Sequence, residues 1–237
     1  TNGRYYVIAL FDMWSNVFAS IGKRNTGTGA ANFLIAGPGW QGETPAGIKQ
    51  VFRATTQFGL TIFRTQLLNA DDMPNVVAVQ AGYKVQPLSA FLGQPAPAPA
   101  PAVDWPKITA ELVKTNFWQY LDFALQFAPA GPEEVAIRER LARIGVGAGK
   151  TFDFSELSDE EKVEIGLGMK EGERKVEEAV ATIGTDQNGW KVGAAFGDRA
   201  FYNGNWVLRA AAAKAGIFGN DAVEAMYPMT KALPDGT

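Results

Sequence analysis

The chain has no cysteine and no histidine. Lacking cysteine, it has no disulfide, no thiolate nucleophile and no thiolate-held zinc or iron–sulfur centre. Lacking histidine, it has no Ser-His-Asp or Cys-His catalytic set, no imidazole-ligated metal and no histidine pH switch. Chemistry is left to Asp, Glu, Lys, Tyr, Arg, Ser and Thr, and any metal would be a hard cation held by oxygens. No apolar run approaches the roughly 20 residues that a spanning helix needs, so no membrane span is expected.

What is present is ordinary globular composition. The 237 residues are 46% hydrophobic and 20% charged, enough for one large or two modest domains. The net charge of −3 divides unevenly, with 7 Lys+Arg against 4 Asp+Glu in residues 1–102 and 15 against 21 in the remainder. Neither part has the dense basic stripe that a phosphate backbone requires, so nucleic acid is not an expected partner.

Up to about Ser89 the pattern is that of β-structure. The runs RYYVIAL (4–10), NFLIAG (32–37), IKQVFR (48–53) and LTIFRTQLL (60–68) are rich in β-branched and aromatic residues. Between the second and third lies GPGWQGETPAG (37–47), whose alternating glycines and prolines suit a tight reversal. A short helix is expected over 71–81, capped by Asp71 or Asp72.

The segment QPAPAPAPA (94–102) forms neither ladder nor helix and reads as a stiff extended connector. Beyond it the period becomes helical. Residues 107–128 include FWQYLDFALQF, apolar nearly all round, which predicts a helix buried on several sides. Pro132, Glu133 and Glu134 open a second helix to Ile144, and Ser158 with Glu161 makes a capping box for a third, to about Ile183. After Thr185 come turns at DQNGW and FGDR, a helix over 205–216, a further short helix over 220–226 and the closing stretch ALPDGT.

The string GAGKT (147–151) looks like the end of a phosphate-binding loop, but position 144, where the first glycine belongs, is Ile. The string also follows a helix instead of a strand, so Gly145 is read as the left-handed residue ending that helix. The acid groups Asp71-Asp72 and Asp159-Glu160-Glu161 lack the ligand spacing of a calcium loop. No cofactor and no metal site follows from any motif.

More informative are charges set in apolar strand text, namely Asp12, Arg24 and Arg64. Such a residue either faces solvent or is paired in a partly buried place, and pairing of Asp12 with one of these arginines would fix the sheet or line a pocket. Tyr5, Trp14, Trp40 and Tyr202 could supply aromatic walls for an apolar ligand or a sugar.

The order of these features resembles the domain-of-unknown-function family numbered 1254. The shared signs are the Tyr5 strand, Asp12-x-Trp14, Gly22-x-Arg24 followed by Gly27, and Gly37 to Trp40 with Gly42. Arg64-Thr65 and VQPLS (85–89) continue the likeness. Further on, IGVGAGKTF resembles that family's inter-domain segment, and GW (189–190), Tyr202, Arg209-Ala210 and EAMYP (224–228) are similar to the start of its usual companion, family 1214. Relatives begin earlier and end later, so the resemblance implies an internal fragment of a longer bacterial protein.

It also implies an α+β architecture: a jelly-roll-like antiparallel β-sandwich over 1–92, a Pro/Ala linker over 93–103, a helical bridge over 104–184 and the start of a β-rich second domain over 185–237. Export to the periplasm or outside the cell is expected from the resemblance, with the signal segment upstream.

The leading functional expectation is binding of a small or amphipathic ligand in a concave site built from Asp12, Trp14, Arg24, Trp40, Arg64 and Tyr202. The alternative is a carboxylate-based hydrolase or lyase acting on a carbohydrate-like substrate, with two acids facing across a cleft. A third is a structural or assembly module, and self-association into a homo-oligomer is open.

Overall fold

The computed structural model describes residues 1 and 3–230. Its first part holds the strands β1 (Tyr6–Asp12), β2 (Val17–Gly22), β3 (Asn32–Ala36), β4 (Ile48–Arg53) and β5 (Gly59–Thr65). β1 is central in an antiparallel sheet ordered β2-β1-β5, while β3 and β4 form a separate pair. The architecture is mixed α and β, the β2-β1-β5 sheet is antiparallel, and among the described residues no sheet closes into a barrel.

Period-two alternation gives this sheet two covered faces. On one, Tyr6, Leu10 and Ile21 pack with Phe33 of β3, Phe52 of β4 and Tyr83. On the other, Ala9, Phe11 and Val17 pack with Ile62 and Phe218, the rings of Phe11 and Phe218 meeting edge to face at 5.5 Å. A segment near the end of the chain therefore seals the first strand of the fold.

Two strand expectations change. β3 and β4 run parallel, Leu34 opposite Val51 and Ala36 opposite Arg53, so residues 37–47 are a crossover and not a tight reversal. A parallel pair needs a long return, and this segment is long enough to give one. β2 was not among the expected runs, because Ala19, Ser20 and Gly22 dilute its β-forming residues. Its ladder to β1 contains a bulge where Leu10 pairs with Ala19 and Phe11 with Val17.

The helices are α1 (Met73–Ala81), α2 (Leu88–Phe91), α3 (Ala110–Thr115), α4 (Phe117–Leu125), α5 (Val135–Arg143) and α6 (Asp159–Thr182). A hairpin of β6 (Thr185–Gln187) and β7 (Trp190–Val192) follows, then α7 (Arg199–Tyr202) and α8 (Trp206–Ala215). Asn188 and Gly189, at φ 56° and 85°, make the two-residue turn that a tight hairpin demands.

Asp72 stands at the N-cap position of α1, as expected, but its side chain makes no capping hydrogen bond there. Asn69 caps a 3-10 turn ahead of α1, its side chain accepting from the Asp72 amide at 3.1 Å. Asp72 instead accepts from Arg4 Nη2 at 2.7 Å and from the Leu68 amide at 3.0 Å. The Arg4 guanidinium holds the Asp72 carboxyl well below the usual carboxylate range.

The helix expected over 107–128 is two, broken at Asn116 (φ −116°, ψ 26°). Thr115 turns its hydroxyl back to the Glu111 and Leu112 carbonyls, and neither Thr nor Asn favours a helix interior. The capping box at Ser158 and Glu161 and the left-handed Gly145 (φ 86°) stand as expected. Residues 220–226 form only a turn, in which the Glu224 amide donates to Asp221 Oδ1 at 3.2 Å. The ALPDGT stretch lies outside the described residues.

The C-terminal half of α6 packs on α8 through small side chains, Ala179 and Val180 against Ala211 and Ala212. A second cluster joins Leu125 of α4 to Val146 and Phe152, with Trp14, Trp118 and Ile165 around it.

Candidate functional site

The six candidate residues fall in three places. Asp12, Trp14 and Tyr202 meet a charge cluster, Arg24 and Arg64 line a cleft, and Trp40 sits apart beneath Arg53, whose guanidinium is 5.1 Å from the indole centroid.

Asp12 ends β1 and is 3% exposed. Its carboxylate organises the β1–β2 turn, accepting from the amides of Trp14 and Asn16 at 2.9 Å each, and it takes the Thr55 hydroxyl at 2.7 Å. Its ionic partner is neither Arg24 nor Arg64 but Arg199, with Nε 3.9 Å from Oδ2. Arg199 also reaches Glu133 at 3.0 Å and Glu134 at 3.6 Å. Glu134 in turn receives Arg138 at 2.6 Å and Arg209 at 3.5 Å.

Three acids thus face three arginines, a charge-balanced set tying β1 to the residues before α5 and to α7 and α8. Gly131 admits it, since a Cβ there would lie 2.0 Å from Arg199 Nη1. Arg209 is sandwiched over Trp14 (5.6 Å) and Trp206 (4.8 Å), and burial lowers its pKa. Tyr202 donates to the Ala195 carbonyl at 2.9 Å, and burial raises its pKa. Trp14 and Tyr202 pack beside this cluster and line neither the cleft of Arg24 and Arg64 nor a larger one around Asp122.

The cleft is different. It is an open depression of about 500 Å³ lined by Tyr5, Val7, Arg24, Arg64, Asn220, Glu224, Ala225 and Tyr227. Its floor follows from strand register, because Val7 is paired across the sheet with both Gly22 and Arg64. Cross-strand partners project to the same face, so Arg64 stands beside Val7, and the turn after Gly22 presents Arg24 at the rim. The wall opposite is the segment 220–227.

Polar groups in the cleft are only partly matched. Tyr5 donates to Glu224 Oε2 at 2.6 Å, and Arg24 Nε lies 3.6 Å from the same oxygen. Burial and then the Glu224 hydrogen bond push the Tyr5 phenol up to about 12. Arg64 Nη2 donates to the Phe218 carbonyl at 3.3 Å, and the Asn220 amide donates to the Tyr227 hydroxyl at 2.8 Å. In the cleft, the buried atoms Arg64 Nη1, Glu224 Oε1 and Asn220 Oδ1 have no hydrogen-bond partner among the described residues, a condition shared elsewhere by Arg199 Nε and Nη2 in the charge cluster.

Sequence reading singles out Arg24 and Arg64 as charges in strand text and Tyr5 as an aromatic wall, but it does not mark Asn220, Glu224, Tyr227 or Arg199 as site residues. EAMYP was legible only as a stretch of family likeness.

A second, larger cleft of about 580 Å³ includes Asp104, Lys107, Tyr120, Asp122, Lys150 and Thr151 among its lining residues. Here one amide of the GAGKT string, with that of the residue after it, is directed to an internal carboxylate. Asp122 of α4, 2% exposed, accepts from the amides of Gly147 and Phe152 at 2.7 Å each. Among the described residues no group of acids is placed to hold a metal ion, and no helix is long and apolar enough to cross a membrane.

Residues 1–87 match the family model described as Protein of unknown function (DUF1254). The fold is similar to the crystal structure of the VPA0106 protein from Vibrio parahaemolyticus, with a TM-score of 0.70 at 23% identity. The match covers 93% of this chain and 52% of that one, so the chain spans about half the length of that structure. No curated protein matches the chain.

Proposed function

We propose that the protein binds a small polar or amphipathic ligand in the cleft between the β2-β1-β5 sheet and residues 220–227. The observation that carries this reading is Arg64 Nη1, a buried guanidinium nitrogen without a hydrogen-bond partner among the described residues. An unmatched buried donor costs about 1–3 kcal/mol, and one that borders a cleft is placed where a ligand can complete it. Among the residues lining the cleft Glu224 is the sole carboxylate, whereas acid catalysis on a sugar calls for two across a gap.

The hydrolase or lyase alternative would have to use Asp104 and Asp122 in the larger cleft, where both oxygens of Asp122 already take backbone amides. Within this reading the first part is jelly-roll-like, residues 185–237 are family 1214-like, and the protein is exported. Each is an expectation from family likeness. The test is Arg64→Ala. It weakens ligand binding more than it lowers the melting temperature, and an equal loss of fold in every buffer would assign that arginine to structure.

A further inference from the structure

From the pattern of matched and unmatched groups we infer the class of ligand: a monocarboxylate bearing hydroxyl groups, such as a sugar acid or a short hydroxy acid. This rests on the binding reading above and adds charge and hydrogen-bond chemistry to it.

The cleft carries Arg24 and Arg64 against Glu224, an excess of one positive charge in a chain whose net charge is −3. That excess matches a monoanion. A phosphate dianion would bring its second charge up against Glu224, whose side chain is 1% exposed. Arg64 turns one nitrogen to Phe218 and leaves Nη1 for an anionic oxygen, and guanidinium binds carboxylate well in that geometry.

The remaining free atoms are acceptors. Glu224 Oε1 and Asn220 Oδ1 have no donor among the described residues. The charge of Glu224 is already shared by Arg24 and the Tyr5 hydroxyl on Oε2, so Oε1 is suited to a neutral O–H rather than to an ammonium. Tyr227 accepts the Asn220 amide and keeps its own proton to donate. Val7 and Ala225 supply the apolar contact. A hydroxylated monocarboxylate uses the free guanidinium donor, both free acceptors and the phenol together.

Titration calorimetry at neutral pH with D-galacturonate, lactate, D-galactose, propionate, glycine and inorganic phosphate tests the class. At least one of galacturonate and lactate is expected to bind, with galactose (no carboxylate) or propionate (no hydroxyl) weaker than its counterpart by about tenfold or more. Arg64→Met, which keeps the aliphatic stem, removes the advantage of galacturonate over galactose. Asn220→Leu weakens lactate and leaves propionate unchanged. If either variant fails to fold, Arg64→Lys, which keeps charge but loses the second nitrogen, is expected to weaken the carboxylates by a smaller factor. Tighter binding of glycine or phosphate than of both hydroxy acids overturns the ligand class and leaves the binding reading standing. Absence of binding by all six probes overturns both.

Discussion

Two groups of arginines sit on opposite terms with their surroundings. Around Glu134, three guanidinium groups meet three carboxylates and two indoles cover Arg209. Arg199 Nε and Nη2 make no hydrogen bond among the described residues, yet that guanidinium lies 3.9, 3.0 and 3.6 Å from Asp12, Glu133 and Glu134. Around Arg64, among the described residues, no carboxylate forms an ion pair with the guanidinium, and its buried Nη1 makes no hydrogen bond, beside two buried acceptors in the same condition. Balanced charge with aromatic cover is what a packing device requires, while an unmatched set bordering a cleft is what a binding site requires. The contrast teaches that a charge in strand text announces a special place without saying which kind.

The sharpest way to break the comparison is Glu134→Ala. It leaves Arg138, Arg199 and Arg209 without the carboxylate they share, so a loss of about 3–5 kcal/mol is expected in urea unfolding. A loss below about 1 kcal/mol would mean that the cluster holds nothing together. Next in size is Asp122→Ala, which orphans the Gly147 and Phe152 amides at about 1–3 kcal/mol for each one left dry. Added nucleotide should not restore that loss, because the loop holds an internal carboxylate and lacks the phosphate-binding spacing.

A smaller effect sharpens the cleft. The folded state keeps the Tyr5 proton above the ordinary phenol pKa of about 10, so the stability tied to it is complete below that pH. It is lost as pH rises through the folded value of about 12. Tyr5→Phe should flatten the alkaline limb of stability against pH, and an unchanged limb would detach Tyr5 from Glu224. The smallest effect belongs to neither region. Arg174 pairs with Glu171 and Glu178 on the exposed face of α6, and Arg174→Ala should cost no more than about 0.5 kcal/mol in the same urea titration.

Much of the fold was readable where one residue decides a local geometry. Ser158 with Glu161, Gly145 and the Asn188-Gly189 turn work through neighbours in sequence, so their signatures are local. Strand composition located β1, β3, β4 and β5, yet it carries no information on direction, and the parallel pairing of β3 with β4 was not legible. β2 was hidden by its small residues, one of which, Gly22, is required because a Cβ would lie 2.6 Å from the Tyr6 carbonyl oxygen.

At the candidate site the balance is similar. Asp12, Arg24 and Arg64 stood out because charges are costly among strand hydrophobes. Their partners did not, since Arg199 and Glu224 arrive from the far end of the chain, where charged residues are common and ordinary. Trp14 and Tyr202 were picked for their rings, but packing uses rings in the same way that pockets do.

The central claim, that Arg64 is kept for a ligand and Glu134 for the fold, is tested most directly by urea unfolding of ligand-free Arg64→Met beside Glu134→Ala. Arg64→Met is expected to stay within about 1 kcal/mol of the parent chain, because one weak hydrogen bond is lost and an unmatched donor is relieved. Losses of similar size in the two variants would contradict it and place Arg64 among the residues that hold the sheet.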